Sequence, residues 1–344
     1  MRGPWTYGAA VLAVVAGAWV TAPVWSQPPV RFVRPDQGPV VPTPGPRELR
    51  GPAPAPVRYA YRPACDDGAE TCKHWVLVST RGERWWLPYA FGSGPLTLSR
   101  DGTRAAYWHP KHRRYVVADL LKGTTTPLPV KTGEPPEPGL GGQEPMLSPD
   151  GRRLLVADDR VDDTGEVAPG ITMIVDVAGG GVRRLPRGER ALGWTDRGPA
   201  LVSVKPSGRF PGHVTSGSYV VRSADGDVVS RAELPGHQAT TAVPSPAGDT
   251  LATVATESTP GGPVPRGVVL TDARGERPAR TVVPRLPTGW RVRAILRWES
   301  EKALVTETRG PHGEVACHLL SPADGTVTPL RLDAPSPIVV GTLR

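Results

Sequence analysis

The sequence predicts an all-β chain built from internal repeats, and three observations carry that prediction. Short runs rich in Val, Leu, Ile, Trp and Tyr recur along most of the 344 residues, each bounded by Gly, Pro or Asp-Gly, which is the pattern of strands separated by turns. Helical periodicity is almost missing beyond the first 26 residues. Glycines 102, 151, 198 and 248 occupy equivalent turns spaced by 49, 47 and 50 residues, a period that belongs to a unit of several strands.

The chain opens with an uncharged apolar run from Tyr7 to Trp25. Nineteen residues at about 1.5 Å each just cross a hydrocarbon core of about 30 Å, and Trp5, Tyr7, Trp19 and Trp25 stand where interfacial aromatics belong. Residues 1–26 are therefore expected to be an uncleaved signal-anchor. The alternative is a cleaved signal peptide with Arg2 as its positive end. The corresponding location is the cell membrane, single-pass, with the bulk of the chain extracytoplasmic, or secretion after cleavage. Residues 27–56 carry ten prolines, which fix φ and remove donors, so a disordered, largely extended linker is expected there.

From residue 57 the repeats begin. Pro95 to Ser99 reads as a first strand, Asp101-Gly102 as a tight turn, Arg104 to Trp108 as a second strand, Tyr115 to Leu120 as a third and Thr125 to Leu128 as a fourth. Glycine supplies the positive φ that such hairpin turns need, and Asp tolerates the neighbouring position. Leu147 to Ala157 repeats this hairpin around Asp150-Gly151, followed by Ile171 to Val177 and Val182 to Pro186. Weaker copies surround Gly198, Gly248 and the stretch Ile295 to Trp298.

Four antiparallel strands per repeat cannot bury both faces alone, so the units are expected to stack around a ring as propeller blades. Division of the 286 residues from Tyr59 onward gives about 48 per blade for six blades. The ends agree: Val57 to Arg62 looks like a second strand with no first, and Ile338 to Leu343 is a lone strand after the last blade. Pairing the two closes the ring over residues 57–344 and removes an exposed edge.

The motif Leu147-Ser148-Pro149-Asp150-Gly151-Arg152-Arg153-Leu154-Leu155-Val156, with Asp176 ending a later strand, resembles the WD40-like repeats of the TolB-type propeller family. Ser99-Arg100-Asp101-Gly102 with Asp119 is nearly as good, and Pro244-Ser245-Pro246-Ala247-Gly248 with Asp272 departs by Ala for Asp. The resemblance implies architecture and little about function, because such blades serve many roles.

The net charge of +8 is concentrated at the front, where residues 1–58 carry +4. Basic clusters such as Lys111-His112-Arg113-Arg114 lack interleaved aromatics, so no nucleic-acid partner is expected. In an exported chain Cys65 and Cys72 are candidates for a disulfide, leaving Cys317 as a buried structural thiol. His109-Pro110-Lys111-His112 has no partner motif, and Asp158-Asp159 with Asp162-Asp163 lacks EF-hand spacing. Asp119, Asp176 and Asp272 are expected to accept turn hydrogen bonds. No G-x-S-x-G, H-E-x-x-H, P-loop or G-x-G-x-x-G occurs, so no catalytic residue, metal ligand or cofactor is assigned. The sequence points to a propeller, expected to be monomeric, that binds a protein or cell-envelope partner without catalysis. The alternative is an enzyme or small-ligand or glycan receptor working from its central channel.

Overall fold

The computed structural model describes residues 45–63, 70–130, 144–158, 160–161, 167–168, 170–206, 214–235, 241–259, 262–332, 334 and 337–343. The apolar run 7–25 and the first part of the proline-rich stretch lie outside them. Among the described residues no helix is long and apolar enough to cross a membrane.

Six antiparallel sheets form a ring of blades. Blade 2 is Leu96–Leu98, Arg104–His109, Arg114–Asp119 and Thr124–Pro127; blade 3 is Met146–Leu147, Arg153–Ala157, Thr172–Asp176 and Val182–Arg184. Blades 4, 5 and 6 begin at Glu189–Thr195, Val243–Pro244 and Arg291–Ser300. Blade 1 takes its innermost strand from the other end of the chain: Ile338–Val340 pairs with Val57–Tyr61, Tyr59 opposite Val340 and Tyr61 opposite Ile338. His74–Ser79 and Arg84–Phe91 complete it.

Alternation of side chains along each strand sends neighbours to opposite blade interfaces. Leu154 packs toward blade 2 and Leu155 toward blade 4, and every adjacent pair of blades shares one apolar cluster. Between blades 3 and 4 that cluster is small, and a buried ion pair joins it. The Arg222 guanidinium donates to both Glu189 carboxylate oxygens at 2.8 and 2.6 Å and to the Gly226 carbonyl at 2.6 Å.

The ladder direction sorts the connections onto two ends of the ring. Turns within the first and second hairpins of each blade lie on one end, here the turn face; links between second and third strands, and from blade to blade, lie on the other, the loop face. Turn-face connections such as 99–103, 148–152 and 245–249 are short and alike, whereas loop-face connections range from 260–261 to 128–145.

Two expectations are revised here. The proline-rich stretch does not stay free up to Pro56: Arg47–Glu48 adds a parallel strand to blade 1 beside Trp85 and Trp86, Ala53 N–H donates to the Leu120 carbonyl at 2.7 Å, and Ala53 and Ala55 are buried. Proline has no N–H to satisfy, while Ala53 between the prolines uses its own. The turn at Asp150-Gly151 is a longer loop held between Ser148 and Arg153, not a two-residue turn. Ser148 N–H donates to Arg153 O and Gly151 N–H to Ser148 O, both at 2.8 Å. Only the glycine has positive φ, 66° at Gly151 and 69° at Gly102; Asp150 and Asp101 do not. The aspartate works through its carboxylate instead.

Candidate functional site

The innermost strands of all six blades line a channel of about 420 Å3. Its wall is mostly apolar, with Leu98, Leu147, Ile295 and Val339 beside Trp194 and Trp298. The indole N–H groups of the two tryptophans bridge neighbouring inner strands, donating to Met146 O at 2.8 Å and Val243 O at 2.9 Å. Charged groups sit at the ends. Glu144, which precedes its strand, stands at the loop-face mouth and Arg100 and Arg297 stand toward the turn face. No His or Asp lines the channel among the described residues.

The two arginines join three blades. Arg100 follows the inner strand of blade 2 and its guanidinium donates to the Trp298 carbonyl of blade 6 at 3.1 Å. Arg297 donates to the Val340 carbonyl of the closing strand at 2.9 Å and to Glu299 at 2.6 Å. Its Nε is buried without a hydrogen-bond partner among the described residues. Burial pushes the Arg297 guanidinium pKa down, and the charge of Arg100 adds to that, against the opposing pull of Glu299. Sequence reasoning missed both residues. One signal was present for Arg100: the equivalent position of the turn is proline at 149 and at 246.

The residues that repeat are engaged in the turns. Ser148 Oγ donates to Asp150 at 2.6 Å and accepts from Arg153 N–H at 2.9 Å, and Asp150 accepts from Arg152 N–H at 3.1 Å. Ser99, Asp101, Thr103 and Arg104 repeat the arrangement. Burial disfavours the Asp150 carboxylate, but hydrogen bonds from Ser148 and Arg152 outweigh it and hold the pKa below the usual range. Gly102 also touches the next blade, its carbonyl accepting from Val57 N–H at 2.8 Å, and a Cβ there would fall 2.0 Å from Val57 O. Gly198 has φ 133° with a Cβ position 2.1 Å from Arg222 O, and Gly248 has φ 75° with Tyr219 OH donating to its carbonyl at 3.2 Å.

The strand-end aspartates serve the second turns. Asp119 accepts from Lys122 N–H at 3.1 Å, and Asp176 accepts from Gly179 N–H. Asp272 takes the N–H groups of Glu276 and Arg277 at 3.1 and 3.0 Å. The Arg277 side chain holds the Asp272 pKa down.

Elsewhere, Cys72 is disulfide-bonded and Cys317 is a free buried thiol, whose pKa burial pushes up to about 12; Cys65 lies outside the described residues, as do Asp159, Asp162 and Asp163. The His109 and His112 rings meet at a tilt, 4.3 Å apart, with Tyr89 beside His109, in a cleft of about 240 Å3 between blades 1 and 2. His109 Nδ1 accepts from His112 N–H at 3.3 Å, so the neutral ring keeps its proton on Nε2. Burial, then the charge of His112, lowers its pKa. Among the described residues no three His, Cys, Asp or Glu gather as a metal site.

The strand order and closure define the chain as a six-bladed β-propeller of four-stranded blades. No protein-family model matches the sequence, and no curated protein matches it. Solved structures similar to the chain include hydrazine synthase from Kuenenia stuttgartiensis, with 11% identity over 77% of this chain and 91% of that one at a TM-score of 0.44. TolB from Acinetobacter baumannii is similar at 14% identity over 83% of this chain and 66% of that one, TM-score 0.41. The acylaminoacyl peptidase of Pyrococcus horikoshii is similar at 14% identity over 70% of this chain and 40% of that one, TM-score 0.39. All are distant, and the fold rests on the strand pairing itself.

Proposed function

We propose that the protein is an extracytoplasmic scaffold, tethered through residues 1–26 or secreted after their removal, that binds a protein or cell-envelope partner on its loop face without catalysis. One observation carries this reading: the turn face spends its recurring Ser, Asp and Gly on its own backbone, whereas the connections that differ between copies, 128–145 above all, leave from the loop face. Binding surfaces concentrate on variable connections held by a rigid scaffold. The composition of the channel favours binding over the enzymatic alternative, since acid–base work calls for convergent groups such as His, Asp or Glu.

The test is affinity capture from the cell envelope with three baits: the full chain, residues 27–56 alone, and a full chain with 131–143 replaced by a Gly-Ser segment of equal length. Retention by the first bait only supports the reading. Equal retention by the first and third baits removes the loop 131–143 from it, and retention no better than the spacer control overturns it.

A further inference from the structure

The turn-face end of the channel carries more positive charge than its surroundings neutralise. Two guanidiniums converge there through Trp298 and Val340, and Glu299 is the one carboxylate paired with either among the described residues. Among the described residues the Arg100 guanidinium has only a carbonyl as hydrogen-bond partner. A buried guanidinium N–H without an acceptor is costly, and Arg297 has one. The walls beyond are apolar, so water competes poorly for these donors, and an anion placed against them gains more than it would in solvent.

We propose that this end of the channel binds a small organic anion with an apolar body, its charged head between Arg100 and Arg297 and its hydrocarbon part along Leu98, Leu147 and Ile295. The volume suits such a ligand, since small-molecule sites run from about 300 to 1,000 Å3 and are predominantly apolar with a few placed polar groups. Glu144 at the opposite mouth disfavours the reverse orientation, in which two negative charges would meet. An inorganic anion fits less well, because it would leave the apolar wall uncovered. The repeat points the same way: arginine stands at position 100 where two sister turns have proline, and copies diverge where something other than the backbone selects the residue. This site is independent of the loop-face partner, and either can exist without the other.

The two channel tryptophans provide the measurement. Octanoate titrated into the full chain is expected to change the intrinsic fluorescence saturably, while acetate, octan-1-ol and inorganic phosphate bind at least about tenfold more weakly. Arg100→Gln should weaken octanoate by about tenfold in a chain that still folds, and Arg100→Lys should recover part of the affinity. Octan-1-ol binding as tightly as octanoate overturns the charge requirement, and acetate or phosphate binding as tightly as octanoate overturns the apolar one. No saturable octanoate response overturns the site altogether. Should Arg100→Gln fail to fold, the comparison of the four ligands on the unaltered protein decides alone; should it fold and bind octanoate normally, the assignment to Arg100 is lost.

Discussion

The two ends of the ring are built from the same strands but solve different problems. On the turn face each connection satisfies its own backbone and then reaches the adjacent blade, as when Arg104 donates to Gly151 O at 2.9 Å and Glu301 accepts from Ala247 N–H at 2.6 Å. Repetition there is structural, because each blade needs the same contact with the next. The loop-face connections vary in length and composition. Conserved geometry within a repeat protein therefore marks the end that holds the ring together, and divergence marks the end free to acquire partners.

That contrast can be broken experimentally. The largest effect is expected from deleting residues 337–344, which strips Ile338 and Val340 from a buried cluster and reopens the edge of Val57–Tyr61. At about 1.5–3 kcal/mol per buried aliphatic side chain, with the lost ladder added, about 5 kcal/mol should disappear from the unfolding free energy in urea; a near-native value would mean that the ring does not depend on its seam. Gly102→Val forces a side chain into positive φ and against Val57 O, and strain of this kind together with a lost interblade hydrogen bond should cost about 3 kcal/mol. Ser148→Ala removes a donor and an acceptor from one turn, and a loss of about 1–2 kcal/mol is expected by the same measurement.

Acid provides a graded test of the turn face. Asp324 is held down to about 2, chiefly by the hydroxyls of Thr326 and Ser321, and Asp150 and Asp272 are also depressed below the ordinary value of 3.8. A carboxylate with a lowered folded pKa binds more protons when unfolded, so its contribution is complete above that ordinary value and is lost as the pH falls through the folded one. Melting temperatures should thus hold steady to about pH 4 and decline toward pH 2, with Asp324→Asn declining less steeply. The smallest effect is expected from Lys111→Ala in an exposed loop-face turn, within about 0.5 kcal/mol of the unaltered protein. A larger change would mean that this loop is structural and would blur the distinction between the faces.

The blade boundaries were readable because strand, turn and glycine recur together, and the seam because one blade lacked a strand that the C-terminus had spare. The turn chemistry was misread at Asp150 since Asp-Gly is compatible with two loop geometries, and only the flanking pair Ser148 and Arg153 distinguishes them. The docked stretch 47–55 escaped notice because its proline content describes what the chain cannot do and says nothing of a groove that accepts it. The candidate channel site was hidden for a different reason. Arg100 and Arg297 are separated by most of the ring in sequence and meet only because blades 2 and 6 flank the blade that closes it.

That closure also sets an order in time. Tyr59 finds its partner Val340 only when the last residues of the chain are available, so the earliest blade to be made is the last to be completed. Until then Val57–Tyr61 presents unpaired donors and acceptors to any neighbouring strand. The short parallel strand Arg47–Glu48 covers the opposite edge of that blade at Trp85 and Trp86 from the outset, so the edge most in need of protection during biogenesis is the one on the side where the ring will later close.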